Sequence, residues 1–155
     1  MNNKLGVNEY ILEEIEYKLI NTKLNMLDNT YTFNNQCFNL KYLKDLNEYL
    51  FCDIYDVGMR EMTIEETYYI NDCLNRITEI CLSDFNDINE ILRLIESIWM
   101  LQPFFIGNTR TLIAYLKILK DSFLLDIEID VNGHIESKPS TFINLTSVNQ
   151  KRLTK

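Results

Sequence analysis

One segment of the chain is apolar on nearly every side, and this limits the folds that the chain can adopt. From Thr109 to about Leu124 the apolar residues follow the period of a helix, with a main stripe of Leu112, Ile113, Leu116, Leu119 and Phe123. Tyr115 and Ile118 add apolar groups on other sides of the same helix. Because a helix that is apolar nearly all round is a buried helix, we expect this segment to lie at the centre of the fold.

The rest of the chain also has a mostly helical pattern. Apolar residues recur at helical spacing over residues of about 8–27, 39–56, 71–82 and 87–101, and again within 140–152. We expect Gly58 to end the second of these helices, in the left-handed conformation that glycine adopts easily. Residues 60–70 are rich in Thr, Ile and Tyr, and this content predicts a short β-hairpin.

Length and composition favour one globular domain in the cytoplasm. The chain of 155 residues has no internal repeat and no linker, so we expect a single domain with a core of about 9–148 and a tail of 149–155. The formal net charge of −8 argues against non-specific binding to nucleic acid, which needs clustered Lys and Arg. No signal peptide is recognisable, and no apolar run approaches the ~20 residues of a membrane span.

The cysteines and the single histidine give little support for a metal site. Cys37, Cys52, Cys73 and Cys81 form no C-x-x-C pair, and His134 is the only histidine. A structural zinc site takes closely spaced Cys and His as its ligands. We therefore expect four reduced, mostly buried thiols and no bound metal.

Residues 102–111, QPFFIGNTRT, separate two predicted helices and favour the binding of an anion. A helix that starts at Thr109 directs free backbone N–H groups and its positive dipole end toward the preceding loop. Gly107 and Asn108 can adopt the backbone conformations of an anion-binding nest, and Arg110 adds a permanent positive charge. These residues alone leave an alternative open, in which the loop is only a tight turn and Arg110 pairs with a surface acid.

Two motifs in the chain resemble the Fic family. The loop QPFFIGNTRT is similar to the family signature, commonly written H-P-F-x-[DE]-G-N-x-R. Residues 40–61, LKYLKDLNEYLFCDIYDVGMRE, are similar to an earlier helix of the family and match it at Leu50, Phe51, Asp53, Ile54, Tyr55, Asp56, Gly58 and Arg60. The resemblance extends from about Glu9 to about Val148.

This resemblance implies an all-α fold, a Fic-type bundle of about six helices with a short β-hairpin flap at about residues 60–70. The usual activity of the family is transfer of AMP from ATP to a hydroxyl side chain of a target protein. The resemblance therefore implies ATP or another nucleotide as ligand, a protein as partner, and a flap that binds the target. The flap residues concerned are Met62, Thr63, Ile64, Thr67 and Tyr68.

Within the signature, the phosphate-holding residues are present and the catalytic residues are replaced. The resemblance assigns phosphate binding to Gly107, Asn108, Thr109 and Arg110. Gln102 stands in place of the catalytic histidine, and a Gln amide cannot accept a proton as an imidazole does. Ile106 stands in place of the acidic residue that holds Mg²⁺, an ion that needs oxygen ligands. We therefore expect that Mg²⁺ is not held in the usual family manner.

Three functions are compatible with this pattern. The first is a degenerate Fic-fold protein that lacks standard AMP transfer and binds a protein partner, a nucleotide phosphate or both. The second is an active protein adenylyltransferase, or a transferase of another phosphate-containing group, in which Asp53, Asp56 or Glu61 replaces the histidine as base. The third is an inhibitor of a host factor, encoded by a phage or a mobile element. The sequence does not indicate the oligomeric state.

Overall fold

The computed structural model of the chain describes residues 3–30, 39–83 and 87–127. These ranges contain five helices. They are α1 (Glu9–Thr30), α2 (Leu40–Phe51), α3 (Ile64–Leu82), α4 (Ile88–Leu101) and α5 (Asn108–Phe123). These ranges contain no strand, so the prediction of a helical bundle is confirmed for them. The helix predicted within 140–152, the tail of 149–155 and His134 lie outside the described residues.

α5 lies at the centre of the bundle. It packs against each of the other four helices, and most of its residues are buried. Tyr115 and Ile118, which lie off its main apolar stripe, are only 0% and 2% exposed. A helix with neighbours on every side buries apolar groups on every side, so the predicted central helix is confirmed.

α2 ends earlier than predicted, and Gly58 is not the residue that ends it. The N–H groups of Ile54 and Tyr55 both donate to the carbonyl oxygen of Phe51 at 3.0 Å, which turns the chain away from the helix. The left-handed conformation predicted for Gly58 is wrong, because the turn after Phe51 has already ended α2. Gly58 instead allows close packing, since a Cβ atom there would lie 3.2 Å from Cε2 of Phe105.

The β-hairpin predicted at residues 60–70 is wrong, because α3 begins at Ile64. The Thr63 hydroxyl oxygen accepts a hydrogen bond from the Glu66 N–H at 3.1 Å, and the Glu66 carboxylate accepts one from the Thr63 N–H at 3.0 Å. This reciprocal pair is a capping box, whose T-x-x-E pattern the sequence contains. The capping box and the burial of Ile70 on the inner side of α3 outweigh the β propensity of the Thr, Ile and Tyr residues, which depends strongly on context.

The backbone of residues 58–60 pairs with the loop between α4 and α5. Met59 and Phe104 form an isolated antiparallel bridge. The Arg60 N–H donates to the carbonyl oxygen of Pro103 at 3.0 Å. This pairing lays the segment that follows α2 along the loop that precedes α5.

The Arg60 side chain joins the end of α4 to the start of α3. Its Nε donates to the carbonyl oxygens of Leu101 and Gln102 at 2.9 and 3.1 Å. Its Nη2 donates to the Leu101 carbonyl oxygen at 2.7 Å and to Glu66 Oε2 at 2.6 Å. The hydrogen bond from Arg60 is the main reason why the pKa of Glu66 falls to about 2. One guanidinium therefore holds two helix ends together and complements the negative end of the α4 dipole.

Replacement of Thr63 tests the observed start of α3. Thr63→Ala removes the oxygen that caps the Glu66 N–H, so we expect the free energy of unfolding to fall by about 1 kcal/mol in urea denaturation. Thr63→Ser keeps that oxygen and should remain close to the wild type. Equal stability of Thr63→Ala and the wild type would contradict the capping box.

The ion pair between Arg60 and Glu66 makes stability depend on pH in acid. The folded state depresses the pKa of Glu66 from 4.5 to about 2, so the pair contributes stability above pH 4.5 and loses it as the pH falls through about 2. We expect the difference in unfolding free energy between wild type and Glu66→Gln to be constant near neutral pH and to shrink between pH 4.5 and 2.

The control for this measurement is Glu61→Gln, which removes an exposed carboxylate from the same segment. Urea denaturation of both variants and the wild type across the acid range gives the comparison. If the effect of Glu66→Gln did not diminish in acid, or if Glu61→Gln had the same pH profile, the assigned ion pair would be wrong.

Candidate functional site

The loop of residues 102–107 joins α4 to α5 and has a left-handed residue at each end. Gln102 has φ 47° and ψ 62°, and Gly107 has φ 78° and ψ 25°. Glycine adopts this conformation without strain. Gly107 thus has a conformation suited to an anion-binding nest, whereas Asn108 is the first residue of α5.

The Gln102 side chain is held by hydrogen bonds within the loop. Its Nε2 donates to the carbonyl oxygen of Trp99 at 2.9 Å, and its Oε1 accepts from Asn108 Nδ2 at 3.1 Å. Both ends of the amide are therefore engaged. Gln102 therefore helps to fix the shape of the loop, and its amide has no basic nitrogen that could act as a general base.

Asn108 and Thr109 also direct their side chains into the protein. Asn108 Oδ1 accepts from the Phe104 N–H, and Asn108 Nδ2 donates to the Phe104 carbonyl oxygen, each at 2.9 Å. The Thr109 hydroxyl oxygen accepts from Trp99 Nε1 at 2.8 Å. These side chains satisfy polar groups of the buried loop, so any ligand at this position would meet the backbone.

Asn47 is a supporting residue that the sequence analysis missed. Its Nδ2 donates to the carbonyl oxygen of Ile106 at 2.8 Å and to the Thr111 hydroxyl oxygen at 3.1 Å. Asn47 is only 1% exposed although it is polar. Asn47 lies four residues after Leu43 and three before Leu50, so its polar side chain is on the apolar stripe of α2. A polar residue at such a position is the feature of the sequence that could have identified Asn47 as a buried hydrogen-bonding residue.

Three consecutive N–H groups at the start of α5 have no acceptor in the described part of the chain. They belong to Gly107, Asn108 and Thr109, and no side chain caps this helix. The first N–H groups of a helix are satisfied by caps, water or ligands. Because Asn108 and Thr109 are only 8% and 5% exposed, these donors lie in a largely buried part of the chain. We call this group of three N–H donors the α5 nest.

Arg110 lies in the first turn of α5 and is half-buried against α1. Its Nη1 donates to Asn21 Oδ1 at 3.1 Å. Burial lowers the pKa of Arg110, and the neighbouring Glu16 and Tyr17 act in the opposite direction. Arg110 thus belongs to the first turn of α5, and its guanidinium carries a positive charge in a partly desolvated position against α1.

The carboxylates considered as alternative bases are exposed, and two of them lie beside a lysine. The Asp53 carboxylate binds Lys23 Nζ at 2.6 Å, and this hydrogen bond and the charge of Lys23 lower the pKa of Asp53. A general base at neutral pH needs a raised carboxyl pKa. The Asp56 side chain is 93% exposed and lies 3.7 Å from Lys4 Nζ, while Glu61 is exposed.

The residues predicted to form a target-binding flap lie at the start of α3. Thr63 caps the helix, and the Thr67 N–H makes the first helical hydrogen bond, to the Thr63 carbonyl oxygen at 3.0 Å. Met62 is partly buried against the core. Ile64 and Tyr68 are 86% and 73% exposed. The structure therefore places these residues just before α3 and in its first two turns, and among them only Ile64 and Tyr68 present large apolar surfaces to the solvent.

Neither a metal cluster nor a membrane span is found in the described ranges. No group of three or more His, Cys, Asp or Glu side chains in them could hold a metal ion. The Ile106 side chain packs against the core and offers no oxygen ligand. None of the helices in these ranges is both long enough and apolar enough to cross a membrane.

Comparisons with known proteins do not assign the chain to a family. No protein-family model, curated protein or solved structure matches it. The resemblance to the Fic family therefore stays a prediction that rests on the residues of the two motifs.

A glycine substitution tests the geometry of the nest. A Cβ atom at Gly107 would overlap the ring of Phe51, and the residue has φ 78°. Gly6 has a similar φ of 64°, but a Cβ atom there would meet nothing within 4 Å. We expect Gly6→Ala to cost about 1 kcal/mol from backbone strain alone. Gly107→Ala should cost about 2 kcal/mol more because of the overlap.

Thermal and urea denaturation of the two glycine variants measure this difference. If Gly107→Ala were no more destabilising than Gly6→Ala, the close contact between Phe51 and the loop would be wrong.

Proposed function

We propose that this chain is a non-catalytic protein of the Fic type that binds a phosphate group at the start of α5. The phosphate would accept hydrogen bonds from the N–H groups of Gly107, Asn108 and Thr109. Arg110 would add positive charge beside them. The ligand is a nucleotide or another compound with an exposed phosphate. We also propose that the chain binds a partner protein, as the resemblance to the Fic family implies.

The single observation that carries this proposal is the set of three unaccepted N–H donors in the α5 nest. In the same loop, donors of the protein already engage the carbonyl oxygens of Gln102, Pro103, Phe104 and Ile106. Four carbonyl oxygens of the loop thus have donors, while three N–H groups at its end have no acceptor in the described residues. A helix N-terminus with free donors and a positive dipole end favours an anion.

The absence of standard AMP transfer is supported by two positions. The amide of Gln102 is engaged at both ends and has no basic nitrogen. Ile106 packs against the core in place of a carboxylate that could hold Mg²⁺. A positioned base alone contributes about 10²–10⁴ in rate, so the loss of both features leaves binding as the better-supported function. The depressed pKa of Asp53 gives no support to the alternative of a carboxylate base.

Binding of phosphate compounds tests this proposal directly. Inorganic phosphate, ADP and ATP should each raise the melting temperature of the protein in EDTA, because the nest needs no Mg²⁺. A ligand present at 100 times its Kd stabilises the fold by about 2.7 kcal/mol. Arg110→Gln removes the charge but keeps a donor for Asn21, and we expect it to weaken the affinity about tenfold or more.

Arg93→Gln is the matched control, because it removes an exposed arginine from α4 and should leave the affinity unchanged. The absence of a shift with all three compounds would overturn phosphate binding. Incubation with labelled ATP, Mg²⁺ and a cell lysate tests the other half of the proposal. Transfer of label to protein by the wild type, lost in Arg110→Gln, would overturn the non-catalytic assignment.

A further inference from the structure

The first half of α3 carries an exposed groove, which we call the α3 face. It has a volume of about 360 Å³ and is lined by Ile64, Glu65, Tyr68, Tyr69 and Asp72. Ile64, Tyr68 and Tyr69 are 86%, 73% and 45% exposed. Residues spaced by four positions lie above one another on a helix, so these side chains form one continuous stripe over about two turns.

The packing of α3 in the bundle does not use this stripe. α3 has a separate buried side, which consists of Ile70, Cys73, Leu74, Ile77 and Cys81. An isoleucine and two tyrosines that remain in water forgo the stabilisation that burial would bring. Contiguous apolar surface on a globular domain marks an interaction site, and tyrosine is among the residues that contribute most to binding at such sites.

The charge on the α3 face indicates the chemistry of its partner. Glu65 and Asp72 line the groove, and no cation in the described ranges forms an ion pair with either carboxylate. Glu66, between them in sequence, is already paired with Arg60. The chain as a whole has a formal net charge of −8. A partner that covers the groove gains most if it brings Lys or Arg beside its apolar groups.

The same charge disfavours a second copy of the chain as the occupant. Two copies that met through this face would bring four carboxylates together, from Glu65 and Asp72 of each, and each copy carries a net charge of −8. Like charges at an interface oppose association. Charge therefore favours an occupant with a basic surface over a second copy of the chain.

We propose that the α3 face is a docking site for a basic amphipathic helix of a partner protein. Ile64, Tyr68 and Tyr69 receive the apolar side of that helix, and Glu65 and Asp72 pair with Lys or Arg at its edges. A helix laid into an apolar groove is a common mode of peptide recognition. The proposal does not depend on phosphate binding at the α5 nest, and either one can fail without the other.

A synthetic peptide provides the test. A fluorescently labelled peptide of about 18 residues, with Leu and Lys at helical spacing, should bind the full chain without phosphate, as measured by anisotropy. A peptide with Glu in place of Lys controls for charge. Tyr68→Ala should weaken binding about tenfold or more. Asp72→Asn should weaken binding and reduce its dependence on salt.

The matched control variant is Tyr10→Ala, since Tyr10 is 88% exposed on α1 and lies outside the α3 face. It should bind the Lys peptide as the wild type does. The proposal is overturned if the Lys peptide does not bind, if the Glu peptide binds equally well, or if Tyr10→Ala and Tyr68→Ala have equal effects. Self-association of the wild type in sedimentation, abolished by Tyr68→Ala, would assign the face to a second copy instead.

Discussion

The structure depends on how the carbonyl groups of the loop before α5 are satisfied. α5 occupies the centre of the bundle, so Asn108 and Thr109 in its first turn are largely removed from water, as are Pro103 and Phe104 in the loop that leads to it. Buried N–H and C=O groups without partners are costly. Asn47, Asn108 and Arg60 supply donors to the carbonyl oxygens, and the segment after α2 adds backbone pairing. A central helix with an irregular entry is possible here because side-chain amides and a guanidinium replace the missing water.

The features that could be predicted from the sequence are those determined by local pattern. The all-round apolar character of residues 109–124 predicted a central helix, and α5 occupies that place. The prediction failed at residues 60–70, where the Thr, Ile and Tyr content was given more weight than the T-x-x-E pattern of a capping box. It also failed at Gly58, because glycine after an apolar helical pattern predicts a helix end, whereas this glycine permits close contact with Phe105.

The support of the candidate site could not be predicted in the same way, because it is built by residues far apart in the chain. Asn47 reaches Ile106, which is 59 positions away, and Arg60 reaches Leu101, which is 41 positions away. Periodicity places each of these residues on a helix or in a loop but does not pair them. The resemblance implies phosphate binding by Asn108 and Thr109 but does not divide that role between side chain and backbone. The structure gives their side chains partners within the loop, and only their N–H groups remain for a ligand.

The contact between Phe51 and Gly107 also has a consequence for variation among related sequences. The ring at the end of α2 occupies the space where a Cβ atom of residue 107 would lie, so the two positions are sterically coupled across 56 residues of chain. Any residue other than glycine at 107 requires a smaller residue at 51. The residue at 107 must also tolerate positive φ, as asparagine does. The two positions should therefore change together, so that glycine at 107 accompanies an aromatic residue at 51.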